Sequence, residues 1–171
     1  MSVLISTSDF VGKYAISSTS LEVVLIQQLM DEVETRWLTN LLGMVEATAL
    51  LADANANGGV PVLAPYLVIF NALQLEDYCN EWETYSGGLK EMLINVVYAQ
   101  WYNEKAIQGT TIGLKKINST NSSNVHGQTF KLKNALNLAV NDYRVIQKYI
   151  ASNMADYPDY KGMNKKYTSP F

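Results

Sequence analysis

The chain has 171 residues, of which 48% are apolar and only 17% charged, the size and apolar content of one domain with a real core. Its single cysteine, Cys79, excludes an internal disulfide framework, and one histidine, His126, leaves too few ligands for a zinc site. The formal charge of −3 is unevenly placed: residues 1–100 carry twelve Asp/Glu against three Lys/Arg, and residues 101–171 carry four against ten.

The charge split has two readings. Two oppositely charged faces of one domain can attract each other, or the basic end of one subunit can meet the acidic end of a neighbour. Such complementarity registers an interface more than it adds affinity. The basic part has no dense Lys/Arg run, so sequence-specific nucleic-acid binding is not expected. No stretch reaches the ~18–20 apolar residues of a membrane span, so no membrane is expected as a partner.

Residues 1–19 read as an extended arm, with Val3, Leu4 and Ile5 β-prone among Ser and Thr. MSVLISTSDFVGKY has no basic region followed by an apolar run, so no secretory signal is expected. A first helix begins near Thr19 or Ser20, either able to cap it, with Leu21, Val24, Leu25, Leu29 and Val33 at helical spacing. RWLTNLLG (36–43) reads as a short second helix stopped by Gly43, and a third runs from about Met44 to Ala54. The breaker cluster ANANGG (54–59) ends it, and Pro61 and Pro65 hold the following chain away from helix. Residues 60–85 read as a compact loop with one short helix.

The strongest helical pattern follows. Ser86 is the expected cap, and Leu89, Met92, Leu93, Val96, Val97 and Trp101 keep helical spacing as far as about Gln108. GTTIGLKKIN (109–118) alternates weakly around Gly113 and predicts a hairpin or tongue, followed by a polar loop, NSTNSSN. A last helix is expected from about Thr129 to Met154, with Leu132, Leu136, Ala139, Tyr143, Ile146, Tyr149 and Ile150 inward and Asp142 and Arg144 in solvent. The predicted fold is therefore mostly α: a small helical bundle over 1–154 with an inserted tongue at about 109–125, an N-terminal arm, and an extended tail over 155–171. The tail holds three tyrosines and Phe171, and free tails are poor in aromatics, so it is expected to dock on something.

Catalysis needs a proton-transfer group near neutral pH or an activated nucleophile. His126 reads as a solvated loop residue and Cys79 as a small semi-buried thiol; an enzyme would require the two to meet in space. Glu76, Asp77, Glu81 and Glu83 could supply oxygens to a cation but lack the spaced Asp/Asn–Gly pattern, so a solvated acidic surface is expected. No nucleophile elbow or phosphate-cradling loop is present. No cofactor is expected. Trp82, Tyr85, Tyr98, Trp101 and Tyr102 could stack on single-stranded nucleic acid, but acids dominate 76–91, which makes core or interface the better destination.

The order of elements resembles the head–tail connector (adaptor) proteins of tailed bacteriophages, those of crAss-like and other phages of Bacteroides-type bacteria in particular. The resemblance lies in GGLKEMLINVVYAQWYNEKA (87–106), TTIGLKKINSTNSSN (110–124) and YPDYKG (157–162). It implies a structural virion protein with no enzymatic activity, made in the host cytoplasm and placed at the head–tail junction. About a dozen copies would form a ring below the portal protein, extend the channel for genomic DNA without reading its sequence, and dock other tail or ring proteins. Carried onto this chain, it makes Tyr157, Tyr160, Tyr167 and Phe171 tail anchors. Ile112, Leu114, Lys115, Lys116 and Ile117 become the tongue contacts, and Asp31, Glu32 and Glu34 candidate lumen acids. A small helical protein-binding or regulatory module, using a groove near Trp82 and Trp101, is the alternative.

Overall fold

The computed structural model describes residues 2–16, 20–77, 82–105, 107–110, 113–116 and 123–160. Among the described residues, five α-helices and two short antiparallel strand pairs follow one another: α1 (Ser20–Leu42), α2 (Met44–Ala56), α3 (Ala64–Phe70), β1 (Leu73–Asp77), β2 (Trp82–Ser86), α4 (Gly88–Lys105), β3 (Ile107–Thr110), β4 (Gly113–Lys116) and α5 (Ser123–Ser152). The fold is mostly helical, as the periodicity predicts.

α4 is the centre. Every residue from Met92 to Ala99 is buried, which only a helix covered on all sides can achieve. α5 lies along one flank in the most extensive pairing of the molecule, and α1 and α3 cover others. α1 presents Ile26, Met30, Val33, Trp37, Leu38 and Leu41 to this core. The stripe is rotated from the expected one: Val24 is 57% exposed. RWLTNLLG is not a separate helix but the end of α1, because its apolar positions continue the same face. Gly43 stops it at φ 87°, a left-handed conformation that glycine adopts without steric cost.

Three other expectations are corrected. Pro65 does not exclude helix; it sits in the first turn of α3, where a missing N–H breaks no helical bond. Residues 73–77 and 82–86 pair as antiparallel strands rather than forming a loop, with Leu73 opposite Ser86 and Glu76 opposite Glu83. α5 begins at Ser123 rather than near Thr129, so His126 lies on a helix and not in a loop. The second hairpin is where the tongue was expected, with Ile107 opposite Lys116 and Gly109 opposite Leu114.

Both ends of the described chain are part of the core. The expected arm is a folded segment with 3-10 turns at Thr7–Asp9 and Gly12–Tyr14, burying Leu4, Ile5, Phe10 and Tyr14. At the other end, a 3-10 turn at Met154–Asp156 turns the chain back, and Tyr157 and Tyr160 are 0% and 5% exposed. The helical body therefore extends to Tyr160, six residues past the expected boundary.

Candidate functional site

Four buried or half-buried polar residues fix the segments around the bundle. Glu34 on α1 gathers the N-terminal segment: its carboxylate accepts from Ser2 Oγ at 2.7 Å, Val3 N at 2.8 Å and Leu4 N at 2.8 Å. Glu46 on α2 accepts from Tyr66 Oη at 2.8 Å and from Asp159 N at 3.1 Å, tying α3 and the returning C-terminal segment to one carboxylate. Tyr157 Oη donates to the Pro65 carbonyl at 2.6 Å. Asp142 on α5 accepts from Ser86 Oγ at 2.9 Å and Gly87 N at 3.0 Å. Ser86 Oγ in turn accepts the Gly88 N–H at 3.0 Å, so the hydroxyl expected to cap α4 does so and is itself oriented from α5. Burial pushes the Asp142 carboxyl up, against the two donors that favour its ionised form. Asp142 is thus not the solvated residue expected; it is 5% exposed.

Between the N-terminal segment and the start of α4 lies a cleft of about 400 Å³, lined by Asp9, Lys13, Tyr14, Phe70, Lys90 and Glu91 among others. Its charges are matched: Lys90 Nζ meets Asp9 at 2.8 Å and Lys13 Nζ meets Glu91 at 2.8 Å. Tyr14 Oη donates to Asn95 Oδ1 at 2.8 Å, and the Lys13 ammonium stands 4.6 Å from the Tyr14 ring centroid. Burial pushes Asp9 up, but Lys90 and the Ser6 donors together outweigh it and hold the carboxyl below its usual range. The hydrogen bond to Glu91 raises Lys13, and burial raises Tyr14. The shifts of Asp9, Lys13 and Tyr14 all run away from neutrality. That arrangement can latch a segment.

The expected site residues are scattered rather than convergent. Tyr157 and Tyr160 are corrected as tail anchors, because their rings fill the chain's own core and their removal would open it. Tyr167 and Phe171 lie outside the described residues, as do Ile112, Ile117, Cys79 and Glu81. Leu114, Lys115 and Lys116 are on β4, facing Gly109, Gln108 and Ile107 across the ladder. Glu34 is corrected as a lumen acid, being 4% exposed and committed to Ser2, Val3 and Leu4. Glu32 is exposed but pairs with Arg36 at 3.3 Å, and Asp31 accepts from Gln27 at 3.3 Å. Tyr98 and Trp101 are 6% and 7% exposed with centroids 5.9 Å apart, inside the core and not on a stacking surface. Trp101 therefore lies in the core, and the side chain of Trp82, the other residue of the expected groove, lies outside the described residues. Among the described residues, no group of three or more His, Cys, Asp or Glu is placed to hold a metal ion.

Sequence reasoning missed Glu34, Glu46 and Asp142 as buried connectors. The signal was present: Glu34 lies four after Met30, Glu46 four before Leu50, and Asp142 three after Ala139, each on its helix's apolar stripe. Several apolar side chains point outward instead. Met44, Val45, Val62 and Leu63 are each more than half exposed. No known family, curated protein or solved structure matches the chain. Among the described residues, no helix is long and apolar enough to cross a membrane.

Proposed function

We propose that this chain is a non-enzymatic structural subunit of a larger assembly, a head–tail connector of a tailed phage. The observation that carries the reading is the β3–β4 hairpin between α4 and α5. The two most extensively paired helices form a stiff support, and the hairpin is the connection between them. Rigid elements carrying a short hairpin suit docking rather than turnover. The exposed Met44, Val45, Val62 and Leu63 add apolar surface of the kind that interfaces cover. In this reading, about a dozen copies form a ring on a portal protein within the virion. The tongue residues 112–117 and the aromatic residues Tyr167 and Phe171 supply partner contacts, and DNA passes without sequence-specific contact.

The test is co-expression with a portal protein followed by native mass spectrometry of the purified complex. A ring of this chain bound to the portal is expected, and replacing 107–116 by a Gly/Ser linker or truncating after Tyr160 should weaken it while the fold survives. A chain that ignores the portal under all conditions sinks the reading. The cleft beside Tyr14 favours a second reading, a small binding module; that reading requires ligand binding to survive truncation after Tyr160.

A further inference from the structure

Residues 43–72 contain two charged side chains, Glu46 and Asp53, and no Lys or Arg. Both carboxylates are turned to donors of their own chain. Glu46 is buried and accepts from Tyr66 Oη and Asp159 N. Asp53 Oδ2 accepts the Val62 and Leu63 amides at 2.9 Å and 3.0 Å, and its Oδ1 accepts from Asn57 Nδ2 at 3.1 Å. The same bonds shape the surface. Asp53 holds the α2–α3 connection beside the later turns of α2, and Tyr66 ties α3 to the first turn, so the chain doubles back along α2. Seventeen residues of this stretch are exposed, and none of them is charged. Seven of the fourteen large apolar side chains left exposed among the described residues lie between Met44 and Val68.

An uncovered apolar surface of this kind marks an interaction site, and its chemistry selects the partner. Interface centres are depleted of charge, because a charge pressed onto an uncharged face loses its water and gains no counter-ion. Other described outer surfaces of the chain do carry charges: Glu32 and Arg36 on α1, Lys13 and Glu91 at the cleft, Lys133 and Arg144 on α5. The surface of this chain that can meet the uncharged face without stranding a charge is the same face of another copy. Its relief fits that partner. Val45, Ala49, Ala52 and Ala56 recur along the outer side of α2 at spacings of four, three and four. Met44 and Val45 stand at one end of this row, and Val62 and Leu63 are held beside the other. In an antiparallel pair the small middle lets two helices approach closely, and the large side chains at each end of one copy fall against the opposite end of the other.

We infer that two copies of this chain pair through the α2–α3 face, α2 against α2 across a two-fold axis near Ala49 and Ala52. The inference deepens the subunit reading above and rests on it for the face being covered at all; its own content is the occupant. The same patch on both partners makes an isologous contact, which closes at two. It couples subunits in pairs, and a ring needs a further contact on another surface. Seventeen exposed residues a side fall short of the roughly 20–30 of a standard interface, so the pair is weak and reversible. Its attraction is apolar, so sulfate strengthens it, where a charge-driven contact would dissolve as salt screens it.

Sedimentation equilibrium of the full chain at micromolar to millimolar concentration tests this, with A49E and A49K as variants. Each places a good helix former at an exposed position, so each should melt like wild type. A reversible dimer is expected, tightened by sodium sulfate. Either variant alone should weaken it at least ~tenfold, because like charges then face each other across the axis. Mixing the two variants should restore a 1:1 pair, because opposite charges meet there instead. If a variant fails to melt cooperatively, V62S/L63S replaces it, with weaker association again expected. Wild-type association that neither variant changes, or that mixing does not restore, overturns the inference and leaves the subunit reading standing. A chain that stays monomeric yet binds a portal protein also overturns the inference alone, and loss of that binding in A49E would give the face to the portal. Dimerisation that appears only on truncation after Tyr160 would assign the cover to residues 161–171 of the same chain and overturn the pairing. A monomer at millimolar concentration that also ignores the portal overturns both readings.

Discussion

At the residue scale, the buried carboxylates make the sharpest demands. Removing Glu34 leaves the Val3 and Leu4 amides without their acceptor, and an unsatisfied buried donor costs about 1–3 kcal/mol. Glu34→Ala is therefore expected to lose stability in urea titration and to speed hydrogen exchange at Val3 and Leu4 first. Tyr157 allows its two contributions to be separated. Tyr157→Phe removes only the bond to Pro65 and should cost about 1 kcal/mol. Tyr157→Ala also opens a cavity at a fully buried site and should cost about 3–5 kcal/mol. Asp142 and Asp9 give opposite pH dependences. Asp142 is raised above its ordinary 3.8, so the folded state holds a proton that the unfolded state has released, and stability falls as pH rises from about pH 4 upward. Asp9 is lowered, so its contribution is present above its ordinary value and is lost as pH falls toward its folded value. Asp142→Asn keeps an acceptor oxygen for Ser86 and Gly87. Compared with wild type by thermal melting between about pH 3 and 6, it should gain relative stability as pH rises.

At the element scale, periodicity was a good guide wherever one side of a helix meets solvent. α5 is such a helix, and its inward positions Ala139, Tyr143, Ile146 and Ile150 follow the expected stripe. α4 was found for a different reason: its apolar density is too high for any loop, although burial of Met92 to Ala99 on all sides erases the stripe itself. Legibility failed where the deciding partner is remote. The β1–β2 hairpin, with Leu73 buried, is held by pairing and by α5, through Asn141 Nδ2 donating to the Tyr85 carbonyl at 3.0 Å. The N-terminal segment looks like a β-prone arm because its folding depends on Glu34, thirty residues away. The candidate contact residues were legible only as types: the chain announces aromatics in its tail, but which of them serve the core is decided by Pro65 and Glu46. A Gly88→Ala substitution probes the α4 start directly. The position has φ 81° and an added Cβ would collide with the Asn71 carbonyl oxygen, so loss of cooperative unfolding at a lower melting temperature is expected.

At the scale of the whole molecule, the helical body is closed by both ends of the described chain. The three ion pairs between described side chains sit on one side of the sequence, and the cations of α5 stand apart from them. The boundary of the body matters for any dissection. Truncation after Ala155 removes Tyr157 and Tyr160 from the core and should unfold the protein. Truncation after Tyr160 should melt within a few degrees of the full chain, which circular dichroism would read.

The return of Tyr157 to Pro65 also sets a timetable. The ring that completes the core at α3 is separated from its acceptor by 92 residues, and Asp159 reaches Glu46 across 113. During synthesis the earlier helices emerge with that part of their apolar surface still open, and such long loops must close before the final contacts reward them. The bundle is sealed only once Tyr160 has left the ribosome. A product terminated before Tyr157 is left with an open core for chaperones and proteases to recognise, so the closing segment separates foldable chains from defective ones at the end of synthesis.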